Sequence, residues 1–199
     1  MAGDMNLRKL LVISALVVLL SACDLFSRTE PGRYEIPTSS HTIQDLCDSA
    51  KQFFVTRAGT ENLKISPGAG GKALTDEIGG GNGCAYEKAD GSVWPYLGYV
   101  SLFRVATSGN TLSTPPATTE NYPTKVLTVD GATVKVATEP LPKEGDHATT
   151  LLDVDLTATI DGWKGELHFR ATEDQTTRDD KPTREGAQAL VHMIRTLKG

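Results

Sequence analysis

Residues 153–170 read DVDLTATIDGWKGELHFR, a stretch that alternates apolar and polar side chains on both sides of an Asp-Gly pair. Asp-Gly favours the two-residue turn whose twist matches that of two antiparallel strands. With Asp161 and Gly162 as the turn, the apolar partners share one face: Ile160 with Trp163, Leu156 with Leu167, and Val154 with Phe169. A four-residue turn would shift the partners but keep both faces, because the parity is unchanged. The stretch therefore predicts an antiparallel hairpin with one buried face.

The opposite face of this hairpin is polar. Its register places Asp155 opposite His168 and Asp153 opposite Arg170, with Glu166 on the same side. Opposite charges thus meet across the strands, which stabilises an antiparallel pair. We interpret these five residues as cross-strand pairs on one polar sheet face; a binding or catalytic role for the same residues is the alternative.

Two more Asp-Gly pairs, Asp130-Gly131 and Asp90-Gly91, also lie between strand-like runs and predict further hairpins. Around the first of these pairs the apolar residues share one face and Thr128 pairs with Thr133 on the other; the apolar set is Leu127, Val129, Ala132, Val134 and Val136. Around the second, residues 84–88 are one predicted strand and residues 96–107 the next, and Pro95 before the latter indicates an edge or a bulge. Residues 97–105 are apolar on nearly both faces, which is typical of an interior strand.

A helix is predicted at each end of the strand region. Thr42 and Asp45 have the spacing of a capping box, and Gly59 is the expected stop. Pro182 and Thr183 mark the start of the last helix. Each has an apolar stripe at spacings of three and four: Ile43, Leu46, Cys47, Ala50, Phe53 and Phe54 in the first, and Ala187, Leu190, Val191, Ile194 and Leu197 in the second. The predicted fold class is α+β, with an antiparallel sheet built from hairpins and covered on one face by an N-terminal and a C-terminal helix.

The glycine-rich segment 67–83 does not fit a phosphate-binding loop. That motif requires Gly at position 66 and Ser or Thr at position 73, where this chain has Ser66 and Ala73. We expect a mobile surface loop, which would form a rim if the protein binds a small ligand.

The chain has 199 residues and a net charge of −5. This length suits one domain with its own core. No basic cluster follows residue 23, so the charge pattern argues against a nucleic-acid partner.

The N-terminus has the layout of a secretory signal. Arg8 and Lys9 precede an apolar run, residues 10–20, that is too short for a comfortable membrane span. An uncleaved anchor is the alternative. The run ends in Leu20-Ser21-Ala22-Cys23, which resembles the bacterial lipobox Leu-[Ala/Ser]-[Gly/Ala]-Cys. The resemblance implies cleavage before Cys23 and thioether diacylation of its sulfur, hence a lipid anchor at the extracytoplasmic face of the cell membrane. The expected organisation is a signal peptide (1–22), a flexible tether (23–40) and a single α+β domain (41–199).

Two cysteines remain, Cys47 and Cys84. In the oxidising compartment that a signal peptide implies, a disulfide is the expected state. Free thiols and a metal site are the alternatives, but the chain has no CxxC or HExxH motif. We therefore predict no metal ligands and no cofactor.

The mature region is similar to a family of actinobacterial lipoproteins of unassigned function, the DUF3558-type domain. The similarity rests on Asp45-Leu46-Cys47, Gly83-Cys84-Ala85-Tyr86, Val129-Asp130-Gly131 and the terminal helix, in that order. The chain lacks a second cysteine pair near its C-terminus, which many members have. The resemblance implies a location and a fold, but no activity.

Three functions are open at this point. The first is a non-enzymatic, membrane-anchored module that binds a protein or a small molecule, and we favour it because no catalytic motif is present. The second is an envelope hydrolase, which needs a Ser and a carboxylate beside His168 or His147; the other histidines are His41 and His192. The third is a lipid carrier, which needs a deep apolar cavity. We predict no catalytic residue.

Overall fold

The structure is a computed structural model that describes residues 39–68, 73–79, 81–92, 95–105, 122–143, 150–177 and 180–198. The helices are α1 (Ile43–Ala58), α2 (Glu173–Thr177) and α3 (Lys181–Leu197). The strands are β1 (Leu63–Pro67), β2 (Asn82–Lys88), β3 (Tyr96–Arg104), β4 (Thr124–Val129), β5 (Ala132–Thr138), β6 (Leu151–Ile160) and β7 (Trp163–Thr172). The strands form one antiparallel sheet in the order β1-β2-β3-β7-β6-β5-β4. Helix α1 packs on β2 and β3, and α3 packs on β6, β7 and α1, so the predicted α+β fold is confirmed.

The hairpin β6–β7 has the predicted register. Ile160 pairs with Trp163, Asp155 with His168 and Asp153 with Arg170. Asp161 and Gly162 both have positive φ, at 50° and 79°, as a two-residue turn of this twist requires. The hairpin β4–β5 is also confirmed, with Thr128 opposite Thr133.

Strands β2 and β3 correspond to the two strands predicted around Asp90-Gly91, but this pair does not form the two-residue turn that it predicted. Strand β2 ends at Lys88 and β3 begins at Tyr96, so the loop between them is longer than the two-residue turn that Asp90-Gly91 alone would form. Pro95 lies at the end of this loop, where its carbonyl accepts a hydrogen bond from the Lys88 N–H at 2.7 Å. The expected bulge is present, because the register of β2 and β3 shifts between Tyr86 and Glu87. Strand β3 lies inside the sheet, as its apolar faces predicted.

Helix α1 begins with the predicted capping box. The Asp45 N–H donates to the Thr42 hydroxyl at 3.2 Å, and the Thr42 N–H donates to Asp45 Oδ2 at 2.8 Å. The helix ends at Gly59, which adopts a left-handed φ of 68°. A disulfide joins Cys47 to Cys84, with 5.4 Å between their Cα atoms, and fixes α1 to β2.

The helices lie very close to the sheet. A Cβ on Gly165 of β7 would come within 2.6 Å of Ile194 Cγ1 on α3. A Cβ on Gly98 of β3 would overlap the His168 carbonyl and lie 2.7 Å from the ring of Phe54 on α1. Only glycine allows this approach, so the two helices and the sheet share one closely packed core.

The first described residues belong to this fold. The Ser39 N–H donates to the Ile78 carbonyl at 3.0 Å, and the Ile78 N–H donates to the His41 carbonyl at 2.9 Å. The buried Ser39 hydroxyl donates to the Leu197 carbonyl at 2.7 Å. The predicted signal peptide, Cys23, His147 and most of the predicted tether lie outside the described residues, as do residues 69–72 and 80 of the glycine-rich segment. Among the helices that are described, none has the length and apolarity of a membrane span.

Candidate functional site

The sheet face opposite α1 and α3 carries a cluster of polar and aromatic side chains on three adjacent strands. We call it the His168 cluster; it comprises Tyr96 and Tyr99 on β3, Asp153 and Asp155 on β6, and His168 and Arg170 on β7. Strand β7 lies between β3 and β6, so His168 pairs with Tyr99 on one side and Asp155 on the other. The strand order therefore assembles the cluster from segments that are far apart in the sequence.

His168 is at the centre of the cluster and only 9 % exposed. Its Nδ1 lies 3.0 Å from Asp155 Oδ1, and its Nε2 lies 3.6 Å from Asp153 Oδ1. The imidazole ring stacks on the Tyr99 ring, with 5.1 Å between centroids and 13° between planes. Both ring nitrogens thus face carboxylates, and one ring face is covered by a phenol ring.

Arg170 forms the more exposed side of the cluster. Its Nε donates to Asp153 Oδ1 at 3.0 Å, and its guanidinium lies 5.5 Å from the centre of the Tyr96 ring. Among the described residues these contacts use only part of the guanidinium, which has five N–H donors in all. The Arg170 side chain is 38 % exposed, so a partner can reach it.

Asp155 has an unused acceptor. Its Oδ1 faces His168, but its buried Oδ2 has no hydrogen-bond partner in the part of the chain that the structure describes. A buried acceptor without a donor costs about 1–3 kcal/mol. This carboxylate is therefore held in place by the fold at a cost in stability.

The β2–β3 bulge brings both tyrosines to this face. Tyr96 and Tyr99 are three residues apart, a spacing that would put them on opposite faces of a regular strand. Because the register shifts at the bulge, both rings approach His168, at 6.0 Å and 5.1 Å between centroids. Burial raises the pKa of Tyr96 to about 12, and burial together with Asp155 and Glu166 raises the pKa of Tyr99. Both phenols are neutral at physiological pH and can donate a hydrogen bond.

The neighbouring polar residues are paired among themselves. The Ser101 hydroxyl donates to Glu166 Oε2 at 3.2 Å, and Lys164 Nζ lies 2.8 Å from Glu166 Oε1. Within the described ranges, then, the serine beside this cluster bonds Glu166 and not His168. Among those same residues, no group of three or more His, Cys, Asp or Glu side chains is placed to hold a metal ion.

The pairs Asp155–His168 and Asp153–Arg170 were predicted from the sequence and are confirmed. The other histidines do not join them: His41 lies 3.7 Å from Asp45 at the start of α1, and His192 lies on the exposed side of α3. The sequence did not predict Tyr96 and Tyr99 in this cluster. Pro95 indicated the bulge that orients Tyr96, but no local feature of the sequence indicated that β3 pairs with β7.

Comparison of the chain with protein-family models, curated proteins and solved structures finds no match. The resemblances to bacterial lipoproteins and to the actinobacterial family therefore stay predictions.

Proposed function

We propose that this chain is a membrane-anchored extracytoplasmic lipoprotein whose domain is a non-enzymatic binding module. The lipobox Leu20-Ser21-Ala22-Cys23 supports the anchor. The Cys47–Cys84 disulfide supports the compartment, since structural disulfides are typical of oxidising environments. The proposed anchor is lipid attached to Cys23. Such an anchor binds the membrane stably when at least two acyl chains are present.

The proposed binding surface is the His168 cluster, and its composition is the observation that carries this proposal. Tyr and Arg dominate the energetic centres of protein interfaces. Here Tyr96, Tyr99 and Arg170 surround a histidine on a sheet face that neither α1 nor α3 covers. The cluster offers phenol and guanidinium donors beside two carboxylates, which fits a polar ligand or a protein partner with both donors and acceptors.

The two alternatives have less support from the described residues. A hydrolase of the serine type needs a hydroxyl bonded to a histidine base, whereas the Ser101 hydroxyl bonds Glu166. A lipid carrier needs space between helix and sheet, whereas Gly98 and Gly165 mark places where these layers are in direct contact.

The anchor is tested by replacing Cys23. We expect Cys23→Ala to abolish lipid attachment, so the protein leaves the membrane fraction or keeps its signal peptide. Ser21→Ala is the matched control, because the lipobox accepts either residue at that position, and it should fractionate like the wild type. Membrane fractionation and intact mass are the measurements. Unchanged fractionation and mass for Cys23→Ala would refute the anchor.

The binding surface is tested by affinity capture from native membranes with mass spectrometry. We expect Arg170→Ala and Tyr96→Ala to lose, by at least tenfold, the protein or lipid that the wild type recovers, because each variant removes a partly exposed side chain of the cluster. Arg184→Ala is the matched control. It removes the same positive charge from α3, where the Arg184 side chain is 70 % exposed, and should still recover the partner. Thermal unfolding verifies that all three variants fold. Equal recovery by all variants would contradict the assignment of this face.

A further inference from the structure

Strand β4 (Thr124–Val129) is the last strand of the sheet, and within the described residues it pairs only with β5. The Asp130-Gly131 turn makes its flanking pair, Val129 and Ala132, a hydrogen-bonded pair, and bonded pairs then alternate along the strands. The Pro123 carbonyl follows this alternation, since it accepts from the Thr138 N–H at 3.2 Å. The backbone groups of Thr124, Val126 and Thr128 therefore point away from β5.

This edge lacks most of the features that keep sheet edges apart. It contains no proline, and Val126 at its middle is 65 % exposed. Its one charged residue, Lys125, is held at 2.6 Å by Asp180 at the start of α3. The other edge strand, β1, is shorter and ends in Pro67. Proline and short length are common protections of an edge, so among the strands that the structure describes β4 is the open edge of the sheet.

We propose that β4 is a self-association edge, at which a second copy of this chain adds its own β4 in antiparallel orientation about a twofold axis at Val126. In this register Val126 pairs with itself, and Thr124 pairs with Thr128 of the second copy in both directions. The N–H and C=O groups of Thr124, Val126 and Thr128 that point away from β5 then all form hydrogen bonds with the facing residues of the second copy. Thr–Thr and β-branched pairs are favourable across antiparallel strands, and no like charges are directly opposed.

The charges near the axis favour a second copy as the occupant. Lys125 lies opposite Leu127 of the second copy, so its stem packs on an apolar side chain. The two Lys125 side chains are diagonal neighbours across the paired β4 strands, and each is neutralised by the Asp180 of its own chain. The edge is therefore complementary to itself. The association is isologous and closes after two copies, giving one continuous sheet across the dimer.

Cysteine cross-linking of the full chain tests the register. A bonded antiparallel pair has Cα atoms about 5.5 Å apart, within the range of a disulfide. We expect Val126→Cys to give, after mild oxidation, a product of twice the chain mass that reduction reverses. Thr159→Cys, exposed on the interior strand β6, is the matched control and should give at least tenfold less. Equal yields for the two variants, no product for Val126→Cys, or a product with a different protein would each overturn the proposal.

A second pair of variants tests the edge without cross-linking. Val126→Pro removes an N–H that points away from β5, so the hairpin β4–β5 keeps its bonds while the outer edge is blocked. Val126→Lys places two charges together at the axis. We expect both to weaken self-association in sedimentation velocity by at least tenfold, while Thr159→Lys keeps it. The inference does not depend on the anchor or on the His168 cluster. A wild-type chain that stays monomeric at every concentration measured would by itself overturn the inference.

Discussion

Asp45 closes the first turn of α1 by accepting hydrogen bonds from the N–H and the hydroxyl of Thr42. These bonds hold the pKa of Asp45 below its ordinary value of 3.8, and the bond from the Thr42 backbone N–H has the larger effect. A carboxyl whose pKa is lower in the folded chain contributes stability above the unfolded pKa and loses it as the pH falls through the folded pKa. The contribution of Asp45 is therefore complete at neutral pH and disappears in acid.

We expect Asp45→Asn to lower the free energy of unfolding by about 0.5–1 kcal/mol at pH 7, because the amide accepts the Thr42 N–H more weakly. The difference between variant and wild type should shrink as the pH falls below 3.8, where the wild-type carboxyl is progressively protonated. Urea unfolding at pH 7, 5 and 3 measures it. A difference of the same size at all three values would show that the charge of Asp45 is not what stabilises the helix.

The contact between α3 and β7 depends on Gly165 having no side chain. Its missing Cβ leaves room for Ile194 Cγ1 and Leu190 Cδ1, which would lie 2.6 Å and 2.9 Å from an added methyl group. Both neighbours are fully buried, so they have little space to move. The absence of a side chain at Gly165 thus lets α3 approach β7 closely.

We expect Gly165→Ala to lower the free energy of unfolding by about 1–3 kcal/mol through overpacking. Ile194→Ala alone should cost about 2–5 kcal/mol, because it leaves a cavity. The double variant should cost less than the sum of the two, since the new methyl group occupies part of that cavity. Chemical denaturation of the wild type, the two single variants and the double variant measures these costs. Additive costs would mean that the two residues are not in contact.

The hairpins could be predicted from the sequence because their determinants are local. In β6–β7 the Asp161-Gly162 turn and the alternation of side chains fix both register and faces. The strands on either side of Asp90-Gly91 were also predicted correctly, since the runs 84–88 and 96–107 correspond to β2 and β3. Only the two-residue turn was wrong there, because β3 begins at Tyr96, after Pro95, and not directly after Gly91.

The candidate site could be predicted only in part, for a related reason. Asp155 and His168 belong to one hairpin, so the alternation places them together. Tyr99 reaches His168 only because β3 pairs with β7, and such a pairing depends on how the entire chain folds. The sequence thus predicted the acidic side of the cluster and missed its aromatic side.

Ser39 and Leu197 link the beginning and the end of the described chain. The Ser39 hydroxyl donates to the Leu197 carbonyl in the last turn of α3 and also accepts from the His41 N–H at 3.1 Å. Both terminal segments of the fold are therefore held by one buried side chain.

We expect Ser39→Ala to lower the free energy of unfolding by about 1–2 kcal/mol, because it leaves buried polar groups without a partner. Ser49→Ala is the matched control, since among the described residues the Ser49 hydroxyl bonds the Leu46 carbonyl of its own helix and no other group. That variant should change stability by less than about 0.5 kcal/mol. Equilibrium denaturation compares the two, and equal effects would contradict a special role for Ser39.

The Cys47–Cys84 disulfide also determines how the domain responds to a pulling force. A pull at Ser39, such as the proposed tether would transmit, first acts on the Ser39–Leu197 hydrogen bond and on the bonds between residues 39–43 and 76–78. It then acts on the first turn of α1, as far as Cys47. There the covalent bond passes the force to β2, the second strand of the sheet. The extension that a steady force can produce before it loads the sheet is thus limited by the position of Cys47, and reduction of the disulfide would remove that limit.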